Sequence, residues 1–365
     1  MIAMNFFTGS YTANDVRFLL KPIVIEHTAI ETKEALIQTG QKHYSQLLSH
    51  ESLPSVAYLA LFYEAMNSNQ DRMARHLILL AEQILANRKQ GITLVSLARA
   101  GTPIGVLLKH ILIKYYHVEV DHYSISILRD IGLDQNALRF ILKSHKPESL
   151  VFIDGWTGKG VIARQLAASL ADFAITDGIT VPAELYVLAD LCGVASVSAS
   201  SEDYLIPSCI LNATVSGLVS RSIFNPHYLN ADDYHGCVYY WQFEQDDLSR
   251  YFIDTLLASV DSLWQTCRGQ NNIDTDRDQL RRVSQQCLTW ITRQYGCTQH
   301  NYIKPGIGEA TRVLLRRKAE VLILQNGESK ETQHLRWLAK SKSIPVTVFN
   351  DLPYKAVALI KEIQS

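Results

Sequence analysis

The decapeptide VFIDGWTGKG, Val151 to Gly160, gathers residue types from which an anion site can be built. Gly155, Gly158 and Gly160 let backbone amides point inward with no Cβ in the way, and a helix that follows adds its positive N-terminal end. Lys159 adds a full charge, and the Thr157 hydroxyl a further donor. Asp154 cannot meet a phosphate favourably, but it could accept hydrogen bonds from ribose hydroxyls or hold a hydrated magnesium ion. A sugar phosphate is the ligand this chemistry suggests. A Walker A loop does not fit, because Ile153 and Gly160 stand where that motif needs a glycine and a Ser or Thr. Gly158, Gly160 and Ala163 match a dinucleotide fingerprint with Asp177 downstream, yet Asp154 would repel a closely packed pyrophosphate. The plain alternative is a glycine-rich turn with no ligand.

A second loop, ARAGTP, places Arg99, Ala100 and Gly101 before a helix opened by Thr102 and Pro103. It offers a guanidinium, amides and a hydroxyl to one anion. Taken alone, it reads equally as a helix cap with a surface arginine. Further on, IKPGIGEATRVLLRRK sets Lys304, Arg312, Arg316, Arg317 and Lys318 against one acid, Glu309. Such a basic patch suits an RNA backbone, with Glu309 reading base edges, or else is a solvated helix face.

Thiol chemistry needs a cysteine activated by a neighbouring histidine. The local candidates are Cys237 beside His235, and Cys209 in LIPSCIL. Apolar flanks mark such cysteines more often as core. The 6 cysteines form no CxxC pair, so reduced, buried thiols are expected.

The elements that would carry these loops follow from apolar periodicity. Residues 55–90 read as a helical pair broken at Asn67 to Asp71. Three apolar runs, Ile92 to Leu97, Leu150 to Ile153 and Leu185 to Ala189, each end in a turn and lead towards a helix or loop. Alternation of this kind predicts an α/β fold with a mostly parallel sheet and ligands beyond the carboxyl ends of its strands. The polar stretch from Cys267 to Gln279 reads as a linker. After it, a compact α/β unit is expected: a helix, the strand Glu320 to Leu324, a helix around Leu335 to Ala339, the strand Ile344 to Phe349, and a terminal helix started by Asp351 and Pro353.

With 365 residues the chain has room for two or three domains, and 47% hydrophobic against 19% charged residues indicates a packed globular protein. A formal net charge of −1 means that any anion-binding surface must be local. The N-terminal stretch has no leader pattern, and no apolar run reaches membrane length, so a cytoplasmic protein with no membrane partner is expected.

The two loops together resemble type I phosphoribosyltransferases, LVSLARAG being similar to the pyrophosphate loop of the uracil-specific members. More closely, GSYTANDVRFLL, HYSISILRD, VFIDGWTGKG, EDYLIPSCILNATVSGLVSR and YHGCVYY resemble a bacterial family of tellurium-resistance gene clusters, described both as phosphoribosyltransferase-like and as the cysteine protease StiP. GIGEATRVLLRRKAEVLIL with HLRWLAKSKSIPVTVF resembles the Pelota and kink-turn-binding ribosomal protein fold.

The first resemblance implies transfer of phosphoribose between phosphoribosyl pyrophosphate, or a related nucleotide, and a base-like acceptor, with Mg2+. Asp154 would face the ribose, Thr157, Gly158, Lys159 and Gly160 the 5'-phosphate, and Arg99, Ala100, Gly101 and Thr102 the pyrophosphate. Tyr123, Ser124, Ser126 and Arg129 would belong to a closing flap, with Tyr123 and Arg129 reaching the leaving group, or else to an ordinary buried strand. Glu202, Asp203, Asn212, Ser216, Ser220 and Arg221 would cover the acceptor. The second resemblance implies RNA contacts at Lys304, Gly306, Gly308, Glu309, Arg312 and Arg316, although Gly308 replaces the asparagine common in kink-turn readers. The division that results is a helical region at 1–90, a phosphoribosyltransferase-like core at 91–265, a linker at 266–285 and a Pelota-like domain at 286–365. Association of identical copies is compatible with it. A nucleotide-sensing RNA-binding protein and a cysteine protease are the alternative functions.

Overall fold

Apolar runs without alternation are what a strand covered on both faces requires, and three of them set the frame of the computed structural model. It describes residues 6–270, 276–297 and 299–361. In chain order, β1 (Arg17–Leu19) and β2 (Lys21–Pro22) precede α1 (Ile30–Gln38) and the long α2 (Val56–Asn87). Next come β3 (Ile92–Ala98), α3 (Thr102–Tyr116), β4 (Val120–Leu128), β5 (Gly132–Leu133), α4 (Gln135–Leu142), β6 (Leu150–Thr157), α5 (Val161–Asp177), β7 (Leu185–Asp190) and β8 (Val197–Ser200). After β9 (Gly236–Cys237) and α6 (Ser249–Cys267), the C-terminal unit holds α7 (Arg277–Tyr295), β10 (Ile303–Pro305), α8 (Ile307–Arg316), β11 (Ala319–Leu324), α9 (Gln333–Ser341), β12 (Val346–Val348) and β13 (Ala356–Ile360).

The main sheet runs β1-β4-β3-β6-β7-β8 with every neighbour parallel, and the short β5 pairs antiparallel with β4. The expected α/β architecture with a mostly parallel sheet is therefore present. Side chains alternate between two cores: Leu94, Val151, Ile153, Tyr186 and Leu188 pack towards α2, α3 and α6, while Val95, Leu97, Phe152, Leu185 and Val187 meet α4 and α5. The C-terminal unit has a second sheet, β10-β13-β11-β12, with only the β11–β12 pair parallel. Among the described residues, no helix is long and apolar enough to cross a membrane.

Several expectations change. The helical pair at 55–90 is one helix of 32 residues, begun by the Ser55 side chain accepting from Tyr58 N. Met66, Met73, Leu77, Leu80 and Ile84 are buried along one stripe, so the polar residues from Asn67 to Asp71 fall on its other side. Of the two readings of the flap segment, the buried strand is the one present: it lies largely in β4, between β1 and β3, with Ser124 and Ser126 fully buried. The helix expected at the C-terminal end is β13: five buried apolar residues between β10 and β11, a run without period that local patterning cannot assign. The region 1–90 is not only helical, because β1 joins the main sheet. Within 266–285, α6 ends and α7 begins, and residues 271–275 of the expected linker lie outside the described residues, as do 1–5 and 362–365.

Candidate functional site

The carboxyl ends of β3 and β6 lie side by side because a glycine permits it: a Cβ on Gly101 would stand 2.1 Å from the Ile153 carbonyl oxygen. The turn opening α3 thus meets the strand that delivers Asp154. Thr102 is buried, its hydroxyl 2.7 Å from Ser124 Oγ, and α3 continues from it. Ala100 O lies 3.8 Å from where a Gly155 Cβ would be, so the two glycine loops do adjoin.

Each loop is nevertheless engaged by protein. Gly158 faces the Pro305 carbonyl, which a Cβ would approach to 3.0 Å, and its own carbonyl accepts from the Tyr354 hydroxyl at 3.3 Å. Lys159 donates to the carbonyls of His300 and, at 2.8 Å, Ile303. Gly160 has φ +72°, and a Cβ there would lie 2.7 Å from Val194 Cγ2. Thr157 donates to buried Asp190 at 2.7 Å, and Asp190 also accepts from the amides of Cys192 and Ala195. Arg99 turns to the Val219 carbonyl at 2.9 Å and to Asn212 Oδ1 at 2.6 Å, with Glu51 3.9 Å away. Packing thus accounts for Gly101, Gly158 and Gly160 without an anion.

What covers the strand ends is α8. A Cβ on Gly308 would lie 3.5 Å from the Trp156 indole and 3.7 Å from Cys209 Sγ, and the Arg312 guanidinium lies 5.9 Å from the Trp156 ring centroid. Arg316 donates to the carbonyls of Cys209, Ile210 and Leu211 at 3.0–3.2 Å. Glu309 pairs with Arg312 at 3.2 Å and Lys304 at 3.9 Å. Gly306 packs against Leu191 and has φ +92°. The Asp203 carboxylate holds the unit down, accepting from the backbone amides of Ile307 and Lys355, both at 2.8 Å. The positions expected to face RNA are therefore joined to those expected to hold phosphate in one half-buried seam.

Its electrostatics are set by burial. Desolvation pushes the Asp154 carboxyl up to about 7, against the amide of Gly155 and the charge of Arg312. Burial and Lys304 bring the Lys159 ammonium down to about 7. Burial also lifts the Cys209 thiol to about 12, while Arg312 and Arg316 act in the opposite direction.

The flap candidates do other work. The Tyr123 hydroxyl lies 3.1 Å from His145 Nε2, and Ser126 Oγ 2.8 Å from His235 Nδ1. Arg129 is held by Asp130 at 2.9 Å and lies over Tyr44. His235 is thus committed to Ser126, and burial raises the Cys237 thiol with no cation to oppose it. All six cysteines are buried, and none forms a disulfide among the described residues. Ser216 donates to the Asn212 carbonyl, Ser220 to the Arg221 carbonyl, and Arg221 to the carbonyls of Tyr44 and Leu47, so these close loops. Glu202 lies 3.5 Å from Arg72. Glu51, Trp156 and Tyr240 were not singled out by sequence; their places depend on contacts far along the chain.

Residues 9–257 match the family model described as "Tellurite-like stress resistance cysteine protease StiP", and residues 280–362 match that of the PELOTA RNA binding domain. The chain is 40% identical over 370 residues to the "Cysteine protease StiP" of Acinetobacter baylyi, covering 98% of this chain and 95% of that one. These findings overturn the expectation of a transferase acting on phosphoribosyl pyrophosphate, since both family and relative are named as cysteine proteases. The chain, with its thiol-bearing seam roofed by a PELOTA-type unit, belongs to the StiP family of tellurite-like stress resistance cysteine proteases.

Proposed function

We propose that the chain is a cysteine protease whose nucleophile is Cys209. The observation that carries this choice is the helix laid over Cys209: Gly308 of α8 faces its sulfur and Arg316 donates to its carbonyl at 3.2 Å, so that Arg312 and Arg316 oppose the effect of burial on the thiol, and cationic surroundings are what activate a thiol. Cys192 lies instead beside the Asp190 carboxylate, which opposes a thiolate. In the reaction, the Cys209 sulfur attacks the scissile carbonyl carbon and its proton is carried to the leaving nitrogen; Asp154, which shares the neighbouring charges of Arg312 and Glu309 with Cys209, is the carrier in this proposal. The C–N bond then breaks and the amine leaves with that proton. Water hydrolyses the thioester, which frees the acid and restores the thiol. A carboxyl near pH 7 exists in both protonation states, as a proton carrier requires. Cys209 is 3% exposed, so the start of α8 at Gly308 must shift to admit a peptide while Arg312 and Arg316, further along the helix, stay beside the thiol.

The test is peptidase activity of the full chain with Cys209→Ala, Cys237→Ala and Cys192→Ala. Loss confined to Cys209→Ala is expected. Full activity in Cys209→Ala would remove this residue from the mechanism.

A second reading concerns the PELOTA-type unit, and a specific surface supports it. With α8 turned to the core, the outward face of the unit includes Trp337 of α9, 53% exposed, with exposed Lys340 three residues on and the exposed edge strand β12. An exposed indole with cations suits stacking of unpaired bases. RNA crosslinking should fall in Trp337→Ala and Lys340→Glu. Recovery unchanged in both would place RNA elsewhere.

A further inference from the structure

The seam around Cys209 holds more positive charge than its acids cancel. Arg99, Arg221, Arg312, Arg316, Lys304 and Lys159 converge there, whereas the acids are Glu51, Glu309 and Asp154. Several of the cations make their hydrogen bonds to neutral oxygens, with Glu51 and Glu309 acting on Arg316 and Lys159 only as neighbouring charges. Arg316 binds three carbonyls, Arg221 those of Tyr44 and Leu47, and Lys159 those of His300 and Ile303. A carbonyl satisfies an N–H, but it does not cancel a charge. In a chain of net charge −1, keeping such groups from water is costly unless an anion is received there. Burial together with their mutual repulsion lowers Arg316 to about 9 and Arg221 to about 10.

Two further observations say what the seam favours. Burial alone would raise the Glu309 carboxyl, yet Arg312, Lys304 and Lys159 hold it below the usual glutamate range. A carboxylate is thus stabilised in its charged form. Independently, the Tyr240 hydroxyl is buried, the residue being 1% exposed, and has no hydrogen-bond partner among the described residues. It stands among Glu51, Arg99 and Arg221. A buried donor left in this way is rare and points to a ligand oxygen.

We propose that the seam binds acidic residues of a polypeptide substrate: Arg99, Arg221 and the Tyr240 hydroxyl take a carboxylate, while Arg312 and Arg316 orient the adjoining peptide at Cys209. This rests on the reading of Cys209 as nucleophile. An acidic peptide fits better than a nucleic acid, because the Arg312 guanidinium already lies over the Trp156 indole, where a base would stack.

Binding can be read apart from cleavage. The full chain carrying Cys209→Ala is titrated, by fluorescence anisotropy, with a labelled Glu- and Asp-rich peptide and with its Gln and Asn counterpart. The acidic peptide should bind at least about tenfold more tightly, and this preference should shrink as salt is raised. Tyr240→Phe removes only the unpartnered hydroxyl, so melting should be unchanged while acidic-peptide binding weakens several-fold. Arg312→Gln should weaken it as well. Equal binding of the two peptides, or binding indifferent to both substitutions, would overturn the proposal. So would displacement of nothing by acidic peptide at a seam that retains an RNA oligonucleotide. Cleavage of neutral and acidic peptides alike by the unsubstituted chain would sink the acidic preference and leave the nucleophile standing. Selective binding without cleavage of any peptide would do the reverse.

Discussion

Arg312 stands over the indole of Trp156, guanidinium to ring centroid 5.9 Å, and one turn earlier on α8 Gly308 faces both that indole and the sulfur of Cys209. A cation laid on an aromatic face contributes of order 1 kcal/mol, and the room at Gly308 would hold a Cβ but no larger group. Helix α8 is thus both the cover over the thiol and the source of the charge beside it.

Gly308 is therefore the position at which cover and reactivity separate. A Cβ there would meet its neighbours at 3.5–3.7 Å, ordinary contact, so Gly308→Ala should be nearly neutral. Gly308→Leu should overpack the seam, cost about 1–3 kcal/mol, and lift α8. The expected readout is faster alkylation of Cys209, mapped by mass spectrometry. Unchanged labelling would show that α8 does not limit access.

Asp203 fastens the same unit by accepting from Ile307 N and Lys355 N. Asp203→Ala orphans one buried and one half-buried donor, at roughly 1–3 kcal/mol for the buried one and less for the other. Calorimetry should resolve a separate, earlier transition for the C-terminal unit. A single transition at the original temperature would contradict this.

How far this arrangement could be read beforehand depends on the range of the contacts. Strands β3, β6 and β7 were legible because Leu94, Phe152 and Val187 belong to apolar runs that end at turns. Helix α2 was read as two because Asn67 to Asp71 are polar together, although they lie on one side of a continuous stripe. The glycines of the two loops suggested an anion cradle, but Gly101 is required by Ile153, Gly160 by Val194 and its positive φ. Cys209, between Ser208 and Ile210, resembles any core cysteine. Its charged neighbours Arg312 and Arg316 lie about a hundred residues on, where no local pattern reaches.

Asp190 offers a test of what supports the β6 turn. Its buried carboxylate accepts from Thr157 Oγ1 at 2.7 Å and from the amides of Cys192 and Ala195 at 3.0 and 2.8 Å. Asp190→Ala leaves these donors unmet and should cost roughly 3–5 kcal/mol. Thr157→Val removes one partner only and should cost about 1–2 kcal/mol. Denaturant unfolding measures both. Equal losses would mean that the hydroxyl, rather than the amides, dominates.

Asp154 and Lys159 should leave opposite marks on stability against pH. The Asp154 carboxyl is raised from 3.8 to about 7. Between those values the folded chain keeps a proton that the unfolded chain has released, so stability falls as pH rises through the window. The Lys159 ammonium is lowered from 10.5 to about 7. Between about 7 and 10.5 the folded chain has shed a proton that the unfolded chain retains, so stability rises with pH. The two contributions together place a minimum near neutrality. Melting curves for Asp154→Asn and Lys159→Met, each subtracted from the unsubstituted chain, isolate them, because other titrating groups such as His76 and His122 are common to both. The Asp154→Asn difference should change across the acidic window and be flat above neutrality, and Lys159→Met should show the converse. Differences independent of pH in both would mean that neither group changes protonation where its burial requires.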